Sequence, residues 1–275
     1  MERLVLWDVD GTLVSCGEVG AAVFDLAIEH VTGRRPPRRI RMSGKTDPQI
    51  VGEYLAMLAA EHVDGQAGPT DRLVAPDISA AGDRPATAVE AGRRLPATGP
   101  TWVPDARTAA VLARLEVELA AAAAELRHGR ALPGVPALLS ALHHDPDTVQ
   151  TVLTGNVRAN AALKLGAFGL LPWLDLSIGA FGSDHVERGR LVPMALERVA
   201  DRFGHHPPPD RVWVVGDAPN DLAAARAAGV NCLLVATGRT AAAELADLGP
   251  DAMLDDLSDT AAVLDVLRSA PARHP

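Results

Sequence analysis

Leu4-Val5-Leu6-Trp7-Asp8-Val9-Asp10-Gly11-Thr12-Leu13 decides how this chain is read. An apolar run stops abruptly at two aspartates flanking one valine, and Gly-Thr follows. Such a run suits a strand buried on both faces of a parallel sheet. Carboxylates at its carboxyl end then stand at the sheet edge where open α/β folds bind ligands. Asp8 and Asp10 are two apart, so on a continuing strand both side chains share one face. Two anionic groups that close repel, and shift each other's protonation unless a cation lies between them. The pair points to a bound metal, or to a division into nucleophile and proton carrier. A strand followed by an Asp-Gly turn is the plainer alternative.

Two further runs favour the chemical reading. Val149 to Leu153, apolar and β-branched, ends in Thr154-Gly155-Asn156. Arg211 to Val215 ends in Gly216-Asp217-Ala218-Pro219-Asn220-Asp221. Alone, Thr-Gly-Asn is also a good turn and helix N-cap. Three buried-strand patterns that each end in small or acidic polar residues are together what a sheet-edge active site requires.

In this order the motifs resemble those of the haloacid dehalogenase-like superfamily, and within it the phosphoglycolate phosphatase-like phosphatases. The first motif resembles Asp8-Val9-Asp10-Gly11-Thr12, the second Thr154, and the fourth Gly216-Asp217 through Asp221. The resemblance implies an α/β fold, a Rossmann-like parallel sheet flanked by helices with an inserted α-helical cap. It implies Asp8 as the nucleophile that becomes an aspartyl phosphate. Asp10 would protonate the leaving oxygen and later deprotonate the attacking water. Thr154 and neighbouring groups of Gly11, Thr12, Gly155 and Asn156 would surround the phosphoryl oxygens. Mg²⁺ would rest on Asp8, the backbone carbonyl of Asp10 and Asp217, with Asp221 ligating or supporting from just outside.

The residue types suit that chemistry on their own terms. Phosphoryl transfer is governed by positioning and charge neutralisation. Mg²⁺ takes oxygen ligands, commonly one or two carboxylates plus substrate phosphate. A carboxylate nucleophile is already ionised and needs a cation to reduce its repulsion from a phosphate dianion. Dehalogenase members, the resemblance implies, lack an acid at the position of Asp10, so an acid there favours phosphate esters over haloacids.

The family's third motif is a lysine, and none stands where it is expected. Lys164, the one lysine between the second and fourth motifs, falls inside a helical pattern. Gly182 to Met194 offers Arg188 and Arg190 instead. Arg188, just before a helix starting near Leu191, is the expected cation for Asp8 and phosphate, with Arg190 the runner-up. Arginine can bridge phosphate bidentately where lysine acts as a point charge.

Composition narrows the function classes. Aromatic residues make up 3% and the formal net charge is -9, which argues against base stacking and against a grip on nucleic-acid backbones. The arginines of residues 34–41 solvate a loop surface or attract a phosphorylated substrate. The two cysteines, Cys16 and Cys232, have no metal-ligand spacing and imply no disulfide framework, which suits a reducing, cytoplasmic compartment. Cys232 is expected buried and Cys16 partly exposed. With the first strand expected almost at the start of the sequence, no signal peptide is expected, and no apolar stretch is long enough to span a bilayer.

Residues 1–15 and 131–275 are expected to form the catalytic core and 16–130 the helical cap. Val19 to Val31, Pro48 to Ala60 and Asp105 to His128 have helical patterns, and a long irregular loop is expected at about 61–104. Core helices are expected near Val135–His143, from Val157, at Leu191–Phe203 and Ala218–Ala228, with a last one closing the chain. Strands are expected at Leu174–Ile178, Asn231–Val235 and Ala252–Leu254. Thr240, with Glu244 downstream, suggests another helix start.

Ser43-Gly44-Lys45-Thr46-Asp47 resembles a Gly-x-Thr-Asp stretch of phosphoglycolate phosphatase-like members, and Lys45 could reach a substrate carboxylate or hydroxyl. Asp47 with Pro48 also makes a helix start. His185 lies close to Arg188 in sequence and is a weaker candidate for the site; no histidine has zinc-site spacing. The expected function is a Mg²⁺-dependent phosphatase for a small soluble phosphomonoester. A phosphosugar mutase on the same core and a catalytically idle binding protein are the alternatives.

Overall fold

The computed structural model describes residues 2–64 and 102–269. Its centre is β1 (Arg3–Trp7), whose five residues are all buried. Leu4 and Leu6 enter one hydrophobic cluster, Val5 and Trp7 the other, so the period of two divides the strand between the two faces of the sheet. This is why an unbroken apolar run was needed: each large side chain so buried contributes about 1.5–3 kcal/mol. After β1 come β2 (Val14–Ser15), α1 (Val19–Thr32), α2 (Asp47–Asp64), α3 (Ala106–Ala121) and β3 (Arg130–Ala131). The chain continues through α4 (Val135–His143), β4 (Thr148–Val152), α5 (Arg158–Ala167) and α6 (Arg188–Phe203). It ends with β5 (Val212–Gly216), α7 (Pro219–Ala228), β6 (Asn231–Val235), α8 (Ala242–Asp247), β7 (Ala252–Leu254) and α9 (Thr260–Arg268).

The main sheet is parallel with strand order β4-β1-β5-β6-β7. Trp7 is level with Val152 on one side and Val215 on the other, so three strands end side by side. Helices cover both faces, as an α/β fold requires. One cluster joins the sheet to α1, α3, α4, α5 and α9, the other to α6 and α7. The helices α1 to α3 are inserted between β2 and β3, and α1 packs on α3. The two ends of the insertion are tied by the antiparallel pairs Val14 with Ala131 and Ser15 with Arg130. No described helix is long and apolar enough to cross a membrane.

Several expected elements shift for identifiable reasons. Leu174–Ile178 is not a strand. Asp175 accepts the Ser177 N–H (2.9 Å) in a side-chain turn. The segment touches β4 by single bonds instead of a ladder, Asp175 N–H donating to the Gln150 carbonyl (3.2 Å) and the Thr151 hydroxyl to the Asp175 carbonyl (2.6 Å), before the bridge from Leu153 to Ala180. The third inserted helix starts at Ala106, where Asp105 caps it by accepting from Arg107 and Thr108, and it tightens to a 3-10 helix over Ala123–His128. The second runs to Asp64, past the expected stop at Ala60; of the expected irregular loop, residues 65–101 lie outside the described residues. Thr240 does not cap α8: its hydroxyl accepts from Arg41 (3.1 Å), and the helix begins two residues later. Cys16 is buried, not partly exposed.

Gly134 begins α4 with φ 76°, and a Cβ there would run into the Leu257 carbonyl. Gly204 ends α6 with φ 79° in open space. Gly134→Ala should therefore cost about 3 kcal/mol, near the top of ordinary point-mutant effects. Gly204→Ala should cost about 1 kcal/mol, the backbone strain alone. Urea unfolding midpoints at constant slope check the pair.

Candidate active site

The carboxyl ends of β1, β4 and β5 deliver Asp8, Thr154 and Asp217 to one edge. Asp8 begins where ladder pairing ends, and its N–H donates to the Val215 carbonyl (2.9 Å). Arg188, the first residue of α6, is buried and reaches back under that edge. Its Nη2 donates to Asp8 Oδ1 (2.7 Å) and Asp221 Oδ1 (2.5 Å), and its Nε donates to Asp221 Oδ1 (3.0 Å). Asp221 Oδ2 accepts the N–H of Ala218 (3.0 Å) at the start of α7. Arg190, by contrast, lies partly exposed 3.7 Å from Glu187 and away from Asp8. The guanidinium at the expected place is Arg188.

Behind Asp8, Asp217 is gripped tightly. Thr12 is buried and its hydroxyl donates to Asp217 Oδ1 (3.2 Å). Gly11 has φ 90°, and a Cβ on it would lie 2.6 Å from Asp217 Oδ2. A Cβ on Gly238 would strike the same oxygen. Two glycines thus make the cradle in which this carboxylate fits. Thr237, in the loop after β6, donates to the Gly11 carbonyl (2.5 Å) and fixes the first motif from a fourth strand; no sequence signal singled it out.

Asp8, Asp217 and Asp221 each offer an oxygen, all within 4.8 Å of one another. Three buried carboxylates face one guanidinium, so negative charge is in excess. Burial pushes the Asp8 carboxyl up to about 6, against the pull of Arg188 and with the push of Asp221. Burial, then the charges of Asp8 and Asp221, raise Asp217 to about 9. Arg188 is held above the ordinary arginine value because Asp221 and Asp8 outweigh its burial. Both Asp221 oxygens are already engaged, which leaves Asp8 and Asp217 with oxygens to offer. An all-oxygen, anionic donor set of this kind fits a hard divalent cation.

A cleft of about 350 Å³ opens above these groups, lined by Asp8, Asp10, Thr154, Asn156, Arg188 and, from the insertion, Lys45. Asp10 differs from the buried trio. Its side chain is 44% exposed, and Oδ2 accepts from Asn156 Nδ2 (2.7 Å) and Lys164 Nζ (2.6 Å). The Thr154 hydroxyl is buried and accepts from the Asn156 N–H (3.2 Å) and Nδ2 (2.8 Å). Gly155 lines the cleft as well, and a Cβ on it would strike the Lys45 carbonyl, so the inserted loop sits directly on the second motif. Lys45 Nζ pairs with Glu53 (2.7 Å). His185 takes the Glu187 N–H (2.9 Å) on its ring and does not line the cleft.

Lys164 is the residue that sequence reasoning passed over. It is buried, and its amine enters the cleft instead of the helix surface. Burial works against its charge, but Asp10 and the other groups around it more than offset that and hold its pKa above the usual lysine value. The available signal was its place on the covered face of α5 beside Asn160, Ala161 and Leu165. Asp47 also departs from expectation. The N-terminal cap of α2 is Thr46, whose hydroxyl accepts from Gln49 N–H (3.3 Å) while Gln49 Oε1 accepts from Thr46 N–H (3.0 Å). Asp47 instead accepts the Val157 N–H (2.8 Å) and so serves the start of α5, across the interface.

With fold and site in view, the chain belongs to the haloacid dehalogenase-like hydrolases: that family's model matches residues 2–229. It is 33% identical over 146 residues to the plasmid-encoded phosphoglycolate phosphatase of Cupriavidus necator, a match covering 53% of this chain and 61% of that relative's length. A predicted phosphatase from Clostridium acetobutylicum superposes with a TM-score of 0.64 at 15% identity, covering 96% of this chain and 99% of that one. A hydrolase from Pseudomonas syringae gives 0.62 at 18% identity, with 97% and 99% covered. At these identities the two structures attest to the fold alone.

The buried acids carry a pH signature. Asp8 and Asp217 hold protons in the folded chain that the unfolded chain has already released above the ordinary carboxylate value of 3.8. Without metal, stability should therefore fall as pH rises from that value through about 9. A divalent cation held among these carboxylates would replace those protons, and added Mg²⁺ would then raise the melting temperature little at acidic pH and by several degrees at alkaline pH. Asp217→Asn should abolish the gain. Thermal melts with and without Mg²⁺ across pH measure both effects.

Proposed function

We propose that this protein is a Mg²⁺-dependent phosphatase that hydrolyses a small, soluble phosphomonoester through an aspartyl phosphate on Asp8. One observation carries the reading: Arg188 fixes one oxygen of Asp8 at 2.7 Å, while Asp8 and the half-exposed Asp10 line one cleft. A carboxylate so held keeps its other oxygen for attack on phosphorus. As the new P–O bond forms, the ester P–O bond breaks and Asp10 gives its proton to the departing oxygen. Asp10 then takes a proton from water, whose oxygen attacks phosphorus and releases phosphate and free Asp8.

Thr154, Gly155, Asn156, Gly11 and Thr12 are assigned to the phosphoryl surroundings, and Arg188 to neutralising charge on Asp8 and phosphate. Asp8, the Asp10 carbonyl and Asp217 would hold Mg²⁺, with Asp221 supporting through Arg188. When bound, the ion supplies further charge neutralisation to nucleophile and phosphoryl group. Residues 1–15 and 131–275 form the catalytic core in this reading. Residues 16–130 act as a cap that excludes water. Lys45, freed from Glu53, would reach a carboxylate or hydroxyl of the substrate. A phosphorylated metabolite in the cytoplasm is the expected partner.

Release of phosphate from p-nitrophenyl phosphate should require Mg²⁺, and Asp8→Asn should lower kcat by about 10³-fold or more. No Mg²⁺-dependent turnover of this ester or of a panel of phosphorylated metabolites would overturn the assignment, and phosphosugar isomerisation would replace it with a mutase. Arg188→Ala should cost about 10²–10³-fold in kcat. Arg190→Ala should leave it nearly unchanged, and equal losses would remove Arg188 from its role. Lys45→Ala should raise KM for the natural substrate with little change in kcat; an unchanged KM rules out the contact.

A further inference from the structure

Asp10 is engaged on one side only. Its Oδ2 accepts from Lys164 Nζ (2.6 Å) and from Asn156 Nδ2 (2.7 Å). Lys164 Nζ also donates to Asn156 Oδ1 (2.7 Å), closing a ring of three side chains. An ammonium can only donate, so it dictates which end of the Asn156 amide faces it. The NH₂ end is thereby turned to Asp10 and to the Thr154 hydroxyl (2.8 Å). Among the described residues, Asp10 Oδ1 has no hydrogen-bond partner, and the side chain is 44% exposed.

Two consequences follow. Both partners of Oδ2 are donors, so a proton on Asp10 can reside only on Oδ1, the oxygen without a partner. The carboxyl rotation is fixed as well, because turning it would break two charge-assisted bonds at once. The fold itself does not ask for this arrangement. The neighbours of Lys164 on the covered face of α5 include Ala161 and Leu165, and burying an ammonium costs several kcal/mol before its partners offset it.

We propose that Lys164 is a positioning residue for proton transfer: directly and through Asn156 it holds Asp10 Oδ2, so that Oδ1 delivers the proton to the leaving oxygen. This rests on the phosphatase reading above. The proton passes from Oδ1 to the ester oxygen as the ester P–O bond breaks. It is restored to Oδ1 from the water that attacks the phosphorylated Asp8.

The test compares two leaving groups. A p-nitrophenolate departs without help, whereas an alkoxide needs the proton. kcat/KM reports the steps up to departure of the alcohol, so it isolates this transfer from the later hydrolysis. For Lys164→Met, kcat/KM on an alkyl phosphate should fall about 10²-fold, the range of general acid catalysis. On p-nitrophenyl phosphate it should fall no more than about threefold, the difference expected where no proton is needed. Lys164→Gln, polar but neutral and shorter, should show the same split and serves if the Met variant does not fold. Equal losses on both esters in a folded variant would overturn the proposal and leave Lys164 a structural or substrate-binding residue. A wild-type protein with no Mg²⁺-dependent turnover would instead overturn the phosphatase reading.

Discussion

The Arg188 guanidinium between Asp8 and Asp221 is the interaction on which the active-site edge depends. Three carboxylates cannot share so dry a space uncompensated, and this cation is supplied by the protein itself from the start of α6. Because Asp221 also holds the Ala218 N–H, the same cation ties the beginning of α7 to the end of β1. Removing it would leave a buried charge without its partner and release two loops together. The remaining excess of negative charge is what would make a second, external cation favourable there.

Around that pair, position follows from strand register. Because Trp7 is level with both Val152 and Val215, the residues that follow each strand meet without any long side chain having to reach. Short polar groups such as aspartate and threonine are sufficient there, and small residues such as Gly11 and Gly238 permit close approach. The sheet thus does the work of placement, and the loops add little more than chemistry.

How much of this could be read beforehand depended on whether the signal was local. Asp8, Asp10, Thr154 and Asp217 were legible because each ends a buried-strand pattern. Arg188 was legible because the family resemblance implies a cation in that stretch, and it and Arg190 were the basic residues on offer there. Lys164 was not, since a lysine within a helical pattern is usually solvated, and only the tertiary fold turns its side of α5 toward Asp10. Asp47 next to Pro48 resembles a cap, yet Thr46-x-x-Gln49 is itself a capping box and took that role, while Asp47 turned to another helix. The supposed strand at Leu174–Ile178 failed because Asp175 makes a turn more readily than a ladder.

The seam between the insertion and the second motif has a consequence for how shape is transmitted. Asp47 N–H donates to the Gly155 carbonyl (2.7 Å), its carboxylate receives Val157, and Asn220 Nδ2 holds the Gly44 carbonyl (2.8 Å). Asn156 lies between the two stitched peptides. A displacement of the head of α2 would therefore reach, one peptide unit on, the amide that grips Asp10, so the inserted loop and that carboxylate are joined by one set of hydrogen bonds.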